Sequence, residues 1–290
     1  MTEVTRRQAI ELVGAAAVGV GLGSVGPRTA AAAAATTASG RLTQSVCQWC
    51  YRNIPLPDFF TQVSDLGLTA VDLLQPDEWA IARDFGLTCS TGYADAGNIT
   101  DGLNDPANHD AIVRGMEQNI PKAAAEGVPQ VIVFFGNRRG LTDAEGIDNC
   151  VTVLERVAPI AESENVTVVV ELLNSKVNHA DYHGDRTSFG VEVMKRVGSP
   201  RVKLLYDIYH MQVMEGDVIR TIRDNQEYIA HYHTAGVPGR HELDNNQELN
   251  YPAICRAIIE TGYQGFLAHE FIPTRDPMTS LREAVELCEV

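Results

Sequence analysis

Four ionisable residues each close a short apolar run: Glu171 after Val168-Val169-Val170, Asp207 after Leu204-Leu205-Tyr206, His233 after His231-Tyr232, and Glu270 after Leu267-Ala268-His269. A plain core strand would continue with Val or Ile at such positions. A single charged residue there is explained as well by capping the next helix, or by pairing with an Arg, as by chemistry. Four of them, spaced by about one strand–helix unit each, are harder to account for in that way, because an unpaired buried charge costs several kcal/mol. Three carboxylates and one imidazole form a hard, mixed oxygen and nitrogen set that suits Mn²⁺ or Mg²⁺, with Co²⁺ also possible. Zn²⁺ fits less well, since structural zinc favours Cys and His. A divalent ion among them can chelate adjacent carbonyl and hydroxyl oxygens, polarise the carbonyl and stabilise the enediolate left when the neighbouring C–H proton departs. Glu171 and Glu270, facing each other across such a substrate, would serve as base and acid.

The elements that must position these groups can be counted. Short β-branched or apolar runs fall at 44–49, 70–74, 88–93, 130–135, 167–172, 203–207, 230–234 and 265–270. Amphipathic segments follow at 56–66, 77–85, 109–126, 143–162, 188–197, 217–223, 251–261 and 277–289. Strict alternation demands parallel strands joined by helical crossovers. Eight units suit a closed (β/α)8 TIM barrel, an α/β fold, better than a doubly wound sheet, and no glycine-rich dinucleotide fingerprint follows the first strand. Residues 41–290 therefore read as one domain, and the four ionisable groups fall at the carboxyl ends of its last four strands, the face where barrels of this kind carry function.

Several runs carry a resemblance. Val170-Glu171-Leu172-Leu173-Asn174-Ser175, Lys203-Leu204-Leu205-Tyr206-Asp207-Ile208-Tyr209-His210-Met211-Gln212, Pro238-Gly239-Arg240-His241-Glu242 and Leu249-Asn250-Tyr251-Pro252 are similar to those of hydroxypyruvate isomerases, within the broader xylose-isomerase-like TIM-barrel superfamily of sugar phosphate isomerases and epimerases. The similarity covers most of the chain after residue 43 and is densest over 166–273. It implies a metal at Glu171, Asp207, residue 233 and Glu270, with the two glutamates also catalytic, and conversion of hydroxypyruvate to tartronate semialdehyde. One departure stands out: the isomerase pattern has Gln where this chain has His233. Ketose 3-epimerases of the same superfamily use Glu, Asp, His and Glu, with a His three residues after the Asp, reproduced by His210, and an Arg shortly after the metal His, for which Arg240 is displaced by one position. A ketose 3-epimerase or a 3-keto-glycoside eliminase is thus the alternative, and an exported sugar-binding protein the non-enzymatic one.

Substrate contacts are expected from Trp49, Asn174, His210, Arg240 and His241. Arg240 and His241 in their Pro-Gly turn suit a carboxylate, and Trp49 suits a stacking wall or equally a core plug. His231 shares a strand face with His233 and lies deeper, which favours a supporting or core role. His179 and His183, in the loop over the barrel mouth, touch substrate or decorate the surface. Lys176 is most simply a solvated loop lysine.

Against 23 Lys and Arg stand 38 Asp and Glu, a formal charge of −15, which argues against a nucleic-acid groove and against anionic membranes. The partner is then a small keto acid or keto-sugar. Barrels of this superfamily often associate, so a homo-oligomer is allowed, although no interface feature decides it. Residues 1–40 read as a separate segment: Arg6-Arg7 precede a weakly apolar Gly/Ala/Val run and an Ala tract, resembling a twin-arginine export signal and an Ala-rich linker. That predicts a periplasmic or extracellular protein with no integral membrane span after processing. Loss of Arg6, Arg7 and Arg28 with Glu3 and Glu11 would leave the acidic balance intact. The six cysteines lie scattered in apolar segments and read as free and buried, Cys47 and Cys50 included, since the stretch 42–51 looks like a strand.

Overall fold

The computed structural model describes residues 41–290; the expected export signal and linker at 1–40 lie outside the described residues. Runs of Val, Ile and Leu bounded by turns make the strands β1 (Thr43–Cys47), β2 (Ala70–Asp72), β3 (Thr88–Cys89), β4 (Gly92–Tyr93), β5 (Gln130–Phe134), β6 (Thr167–Leu172), β7 (Val202–Asp207), β8 (Ile229–Thr234) and β9 (Phe266–His269). All pair in parallel, in the order β3-β2-β1-β9-β8-β7-β6-β5-β4. Every residue of β6 is buried, as expected for a parallel strand covered on both faces.

Strands β3 and β4 are halves of the single strand expected at 88–93, parted by Ser90 and Thr91. A parallel bridge between Leu74 and Gly92 joins β4 to the end of β2 and closes the ring into a TIM-barrel-like fold. A tertiary contact sits beside the break. The Trp79 indole occupies the space a side chain at Gly92 would need, its Nε1 2.6 Å from where a Cβ would stand, and it donates to the Leu74 carbonyl at 3.1 Å. Leu73 turns into the left-handed region (φ 58°) and its N–H reaches the Thr91 carbonyl at 2.7 Å.

Outside the barrel run α1 (Leu56–Asp65), α2 (Trp79–Asp84), α3 (His109–Glu126), α4 (Asp143–Glu164), α5 (Thr187–Val197), α6 (Ile208–Met214), α7 (Val218–Asn225), α8 (Tyr251–Glu260) and α9 (Pro277–Cys288). The capping box of Thr142 and Glu145 starts α4 and left-handed Asn165 ends it. Helix α6 has no counterpart among the expected segments; it starts immediately after Asp207, whose Oδ1 accepts the His210 N–H at 2.9 Å as its N-cap. The first strand is shorter than expected. It stops at Cys47, and Gln48–Tyr51 form a 3-10 turn that carries Trp49 and Cys50 out of the strand's alternation. Among the described residues no helix is long and apolar enough to cross a membrane.

Candidate metal centre

The carboxyl ends of β6, β7 and β8, and the residue just past β9, bring Glu171, Asp207, His233 and Glu270 together. Each offers one ligand atom, all of these atoms lie within 4.8 Å of one another, and all four residues are buried. The backbone explains the convergence: Asp207 and His233 are register partners across β7 and β8, while the Glu270 N–H continues the β9 ladder by donating to the Thr234 carbonyl at 2.9 Å. His233 Nδ1 stands 2.9 Å from Glu270 Oε2 and 3.2 Å from Glu171 Oε1.

Among the described residues one guanidinium reaches this cluster. Arg240 Nη2 donates to Glu270 Oε2 at 2.5 Å and stands 3.7 Å from Asp207 Oδ2. Its Cζ lies 5.1 Å from the Trp49 ring centre and 5.7 Å from that of Tyr209, within cation–π range of both. Trp49 also donates from Nε1 to Glu270 Oε1 at 2.7 Å. The three carboxylates respond differently. Burial pushes Asp207 well up, with Arg240 opposing and the Glu270 charge adding to the rise. Burial raises Glu171 too, against a hydrogen-bonding contribution from His233. Burial would also raise Glu270, but Arg240 and then His233 outweigh it and hold this carboxyl well below the usual range. Glu171 Oε1 has His233 Nδ1 3.2 Å away but no well-aligned hydrogen bond. Three acidic groups, one guanidinium and a buried carboxylate oxygen without an aligned hydrogen bond are what a hard divalent cation would complete.

The other expected contact residues divide. His210 is buried beside Asp207, its Nε2 3.6 Å from Asp207 Oδ2 and without a hydrogen-bond partner. Asn174 does not face the cluster directly; it sets the His210 ring. Its Oδ1 accepts the N–H groups of Val177 and Asn178 at 3.1 and 2.8 Å, so its Nδ2 must be the group 2.6 Å from His210 Nδ1. The Asn174 N–H also donates to that nitrogen at 3.1 Å. With Nδ1 accepting twice, the ring proton sits on Nε2 and points toward the centre. Burial keeps this imidazole neutral, well below its ordinary pKa. His241 is turned away, exposed, with Nδ1 3.0 Å from the Ile272 carbonyl oxygen. His183 is buried against α4 beside Asn104, and the half-buried His179 lies over the His210 ring at 5.3 Å. Lys176 is tied down, donating to the Val213 and Met214 carbonyls at the end of α6.

Sequence reasoning missed Asp72. This fully buried carboxylate at the end of β2 touches both His231 and His233. Its signal was the same one that marked the other four, a charged residue closing an apolar strand, Ala70-Val71-Asp72. Cys47 is placed differently from the plain core position expected of it: its Sγ lies 3.6 Å from Asp72 Oδ2 and 3.8 Å from His233 Nε2. All six cysteines are free, and all but the half-buried Cys50 are buried.

A parallel barrel with an acid–imidazole cluster at the carboxyl ends of four consecutive strands defines a TIM-barrel protein with a candidate divalent-metal centre. More closely, the chain belongs to the xylose isomerase-like TIM barrel family, which its residues 60–289 match. It is 31% identical to a 2-oxo-tetronate isomerase from Cupriavidus necator over 233 residues, covering 74% of this chain and 86% of that protein. It is 28% identical to a putative hydroxypyruvate isomerase from Homo sapiens over 181 residues, 61% of this chain, and the match spans only 65% of that relative's length. Among solved structures, an AP endonuclease family 2 protein from Brucella melitensis shares the fold with a TM-score of 0.75 at 23% identity, over 83% of this chain and 97% of that one.

Proposed function

We propose that this protein is an isomerase that moves the carbonyl of a short 2-keto acid to the neighbouring carbon, with hydroxypyruvate to tartronate semialdehyde as the leading reaction and Mn²⁺ or Mg²⁺ at the four-residue centre. The observation that carries this reading is the buried set of Glu171, Asp207, His233 and Glu270, with ligand atoms within 4.8 Å, at the functional face of the barrel. The relatives named 2-oxo-tetronate isomerase and putative hydroxypyruvate isomerase support the substrate class.

When bound, the ion supplies Lewis-acid polarisation of the substrate carbonyl and a charge that favours the enediolate. The chain's own residues do the rest. Glu171, with an oxygen that makes no aligned hydrogen bond and a pKa raised by burial, is the group suited to take the proton from C3 of hydroxypyruvate. Glu270, which Arg240 now holds ionised, takes up a proton from solvent once Arg240 pairs instead with the substrate carboxylate and delivers it to C2, while Glu171 releases the C3 proton to solvent and the hydroxyl proton passes from O3 to O2. His210 Nε2–H donates to a substrate oxygen. Trp49 and Tyr209 hold the guanidinium between them, and Trp49 orients Glu270. Export through the segment at 1–40 belongs to the same proposal.

A second reading, 3-epimerisation of a keto-sugar or elimination from a 3-keto-glycoside, is favoured by His233 at the imidazole position and by His210 three residues after Asp207. It uses the same proton abstraction on a larger substrate. The test is a substrate panel of hydroxypyruvate, 2-oxo-tetronate, ketohexoses and 3-keto-glycosides in deuterated water, with Mn²⁺-loaded protein and its Glu270→Gln variant. Keto-acid turnover with solvent deuterium entering the product, reduced by about 100-fold or more in the variant, supports the isomerase. Turnover of the sugars alone transfers the assignment to the second reading. A bound metal with no turnover of any compound leaves the sugar-binding protein.

A further inference from the structure

Beneath the candidate centre, on the side of His233 away from the carboxylates, the barrel interior is filled by a polar network that the proposed reaction does not use. Asp72 is its hub. Its Oδ1 accepts the Ser90 hydroxyl at 2.5 Å, and its Oδ2 lies 2.8 Å from His233 Nε2, 3.2 Å from His231 Nε2 and 3.6 Å from Cys47 Sγ. The network continues from His231 Nδ1 to the Thr91 hydroxyl at 3.2 Å, from Thr91 to Gln130 Oε1 at 3.0 Å, and from Gln130 Nε2 to the Ala230 carbonyl at 2.8 Å. The far end fixes the direction of the bonds. A carbonyl can only accept, so the Gln130 amide nitrogen faces Ala230 and its oxygen faces Thr91, whose hydroxyl proton it takes. The His231 ring stands edge-on to His233, at 5.1 Å and 84° between centres and planes. The carboxylate it faces is clamped between β1, β2, β8 and the break separating β3 from β4.

His233 has two nitrogens in two different surroundings. Nε2 meets the carboxylate of Asp72, an acceptor, whereas Nδ1 meets Glu171 and Glu270 at the centre. An imidazole can ligate a cation only through a nitrogen that carries no proton. We propose that Asp72 is a positioning residue for the metal centre, holding the His233 ring by its Nε2–H so that Nδ1 is presented bare to the ion. Ser90 and Thr91, between β3 and β4, are the residues whose hydroxyls reach Asp72 and His231. This inference rests on the reading of Glu171, Asp207, His233 and Glu270 as a metal centre.

The test is Mn²⁺ titration by calorimetry of the wild-type protein and of Asp72→Asn, with circular dichroism and thermal unfolding of the metal-free forms alongside. Asn matches Asp in shape but presents an amide that can donate to Nε2 and so push the ring proton to Nδ1. The expected result is a 10- to 100-fold weaker Mn²⁺ affinity in the variant, about the loss seen when the supporting partner of a metal-ligating His is removed. Because the variant can fail to fold, a second measurement uses the wild type alone: ¹⁵N-histidine spectra of the Mg²⁺-loaded protein should show His233 protonated on Nε2. Equal affinity in a folded variant, or a proton found on Nδ1, overturns the role of Asp72 while leaving the metal centre in place. A wild-type protein that binds no divalent ion overturns the metal reading and this inference with it, an outcome distinct from the first two.

Discussion

Replacing Glu242 by Gln probes how the loop that carries Arg240 is fastened to the loop that follows Glu270. The Glu242 carboxylate is buried two residues after Arg240 and accepts four hydrogen bonds, from the Thr274 N–H and hydroxyl, both at 2.8 Å, the Arg275 N–H at 3.2 Å and the Ser280 hydroxyl at 3.0 Å. Burial alone would raise its pKa, but these donors, led by the Thr274 N–H, bring it from 4.5 down to about 2. A folded-state pKa below the unfolded one means stability that is complete above the unfolded pKa and lost as pH falls through the folded one. A shift of this size corresponds to roughly 3 kcal/mol at neutral pH, with about half gone by pH 3. Gln keeps one acceptor and turns an amide N–H₂ toward donors, so Glu242→Gln should cost about 2–3 kcal/mol at pH 7. Urea unfolding of the two proteins from pH 7 to pH 3 reads the difference directly. The gap should be constant above pH 6 and narrow by about half at pH 3. A gap of the same size at every pH would refute the reasoning, because lost packing, not a carboxylate held ionised by its donors, would then be the cause.

Two further outcomes follow from the centre and one from the N-terminal segment. Free Mn²⁺ at about 100 times its dissociation constant should stabilise the protein by roughly 2.7 kcal/mol, a thermal midpoint higher by about 5–10 °C in scanning calorimetry; no shift with Mn²⁺, Mg²⁺ or Co²⁺ would count against the metal. Arg240→Met removes the guanidinium that pairs with buried Glu270, and should destabilise the metal-free protein by about 3–5 kcal/mol but the Mn²⁺-loaded protein by clearly less, as read by urea unfolding of both forms. Changing Arg6 and Arg7 together to Lys should leave the protein in the cytoplasmic fraction of expressing cells, whereas a normal distribution would remove the twin-arginine reading.

The strands were legible because their local pattern is strong: Val-rich runs such as 167–172 leave little else to form in a chain that alternates so regularly. What escaped the sequence was set by contacts from elsewhere. Nothing local at 88–93 announces the break or the indole from α2 that fills the space a side chain at Gly92 would need. Helix α6 hides because Ile208 to Met211 are all buried, so the segment lacks the polar face by which a surface helix is read. Adjacent residues of one turn part company at Arg240, whose left-handed backbone (φ 62°) sends its guanidinium to the centre while His241 stays outside. Asp72 is the opposite case. Its local pattern matched that of the strand ends that were singled out, and it escaped because it stands alone on an early strand; only the closed ring shows that β2 comes within reach of His233.

The two explanations of a strand-end carboxylate, helix capping and chemistry, turn out not to compete. Asp207 can serve both with different oxygens: Oδ1 caps α6 through the His210 N–H, while Oδ2 stands at the candidate centre, 3.7 Å from Arg240 and 3.6 Å from His210 Nε2. The capping bond fixes the carboxylate plane, and so aims the second oxygen without a further side chain to hold it. The same turn of helix raises His210 over the centre, three residues on, where its Nδ1 is held by Asn174. One tight strand-to-helix turn therefore orients both the candidate ligand and a candidate hydrogen-bond donor beside it. Lengthening this turn by one residue would disturb both groups together, and strand-end carboxylates followed at once by a capped helix are accordingly the ones whose second oxygen is worth inspecting.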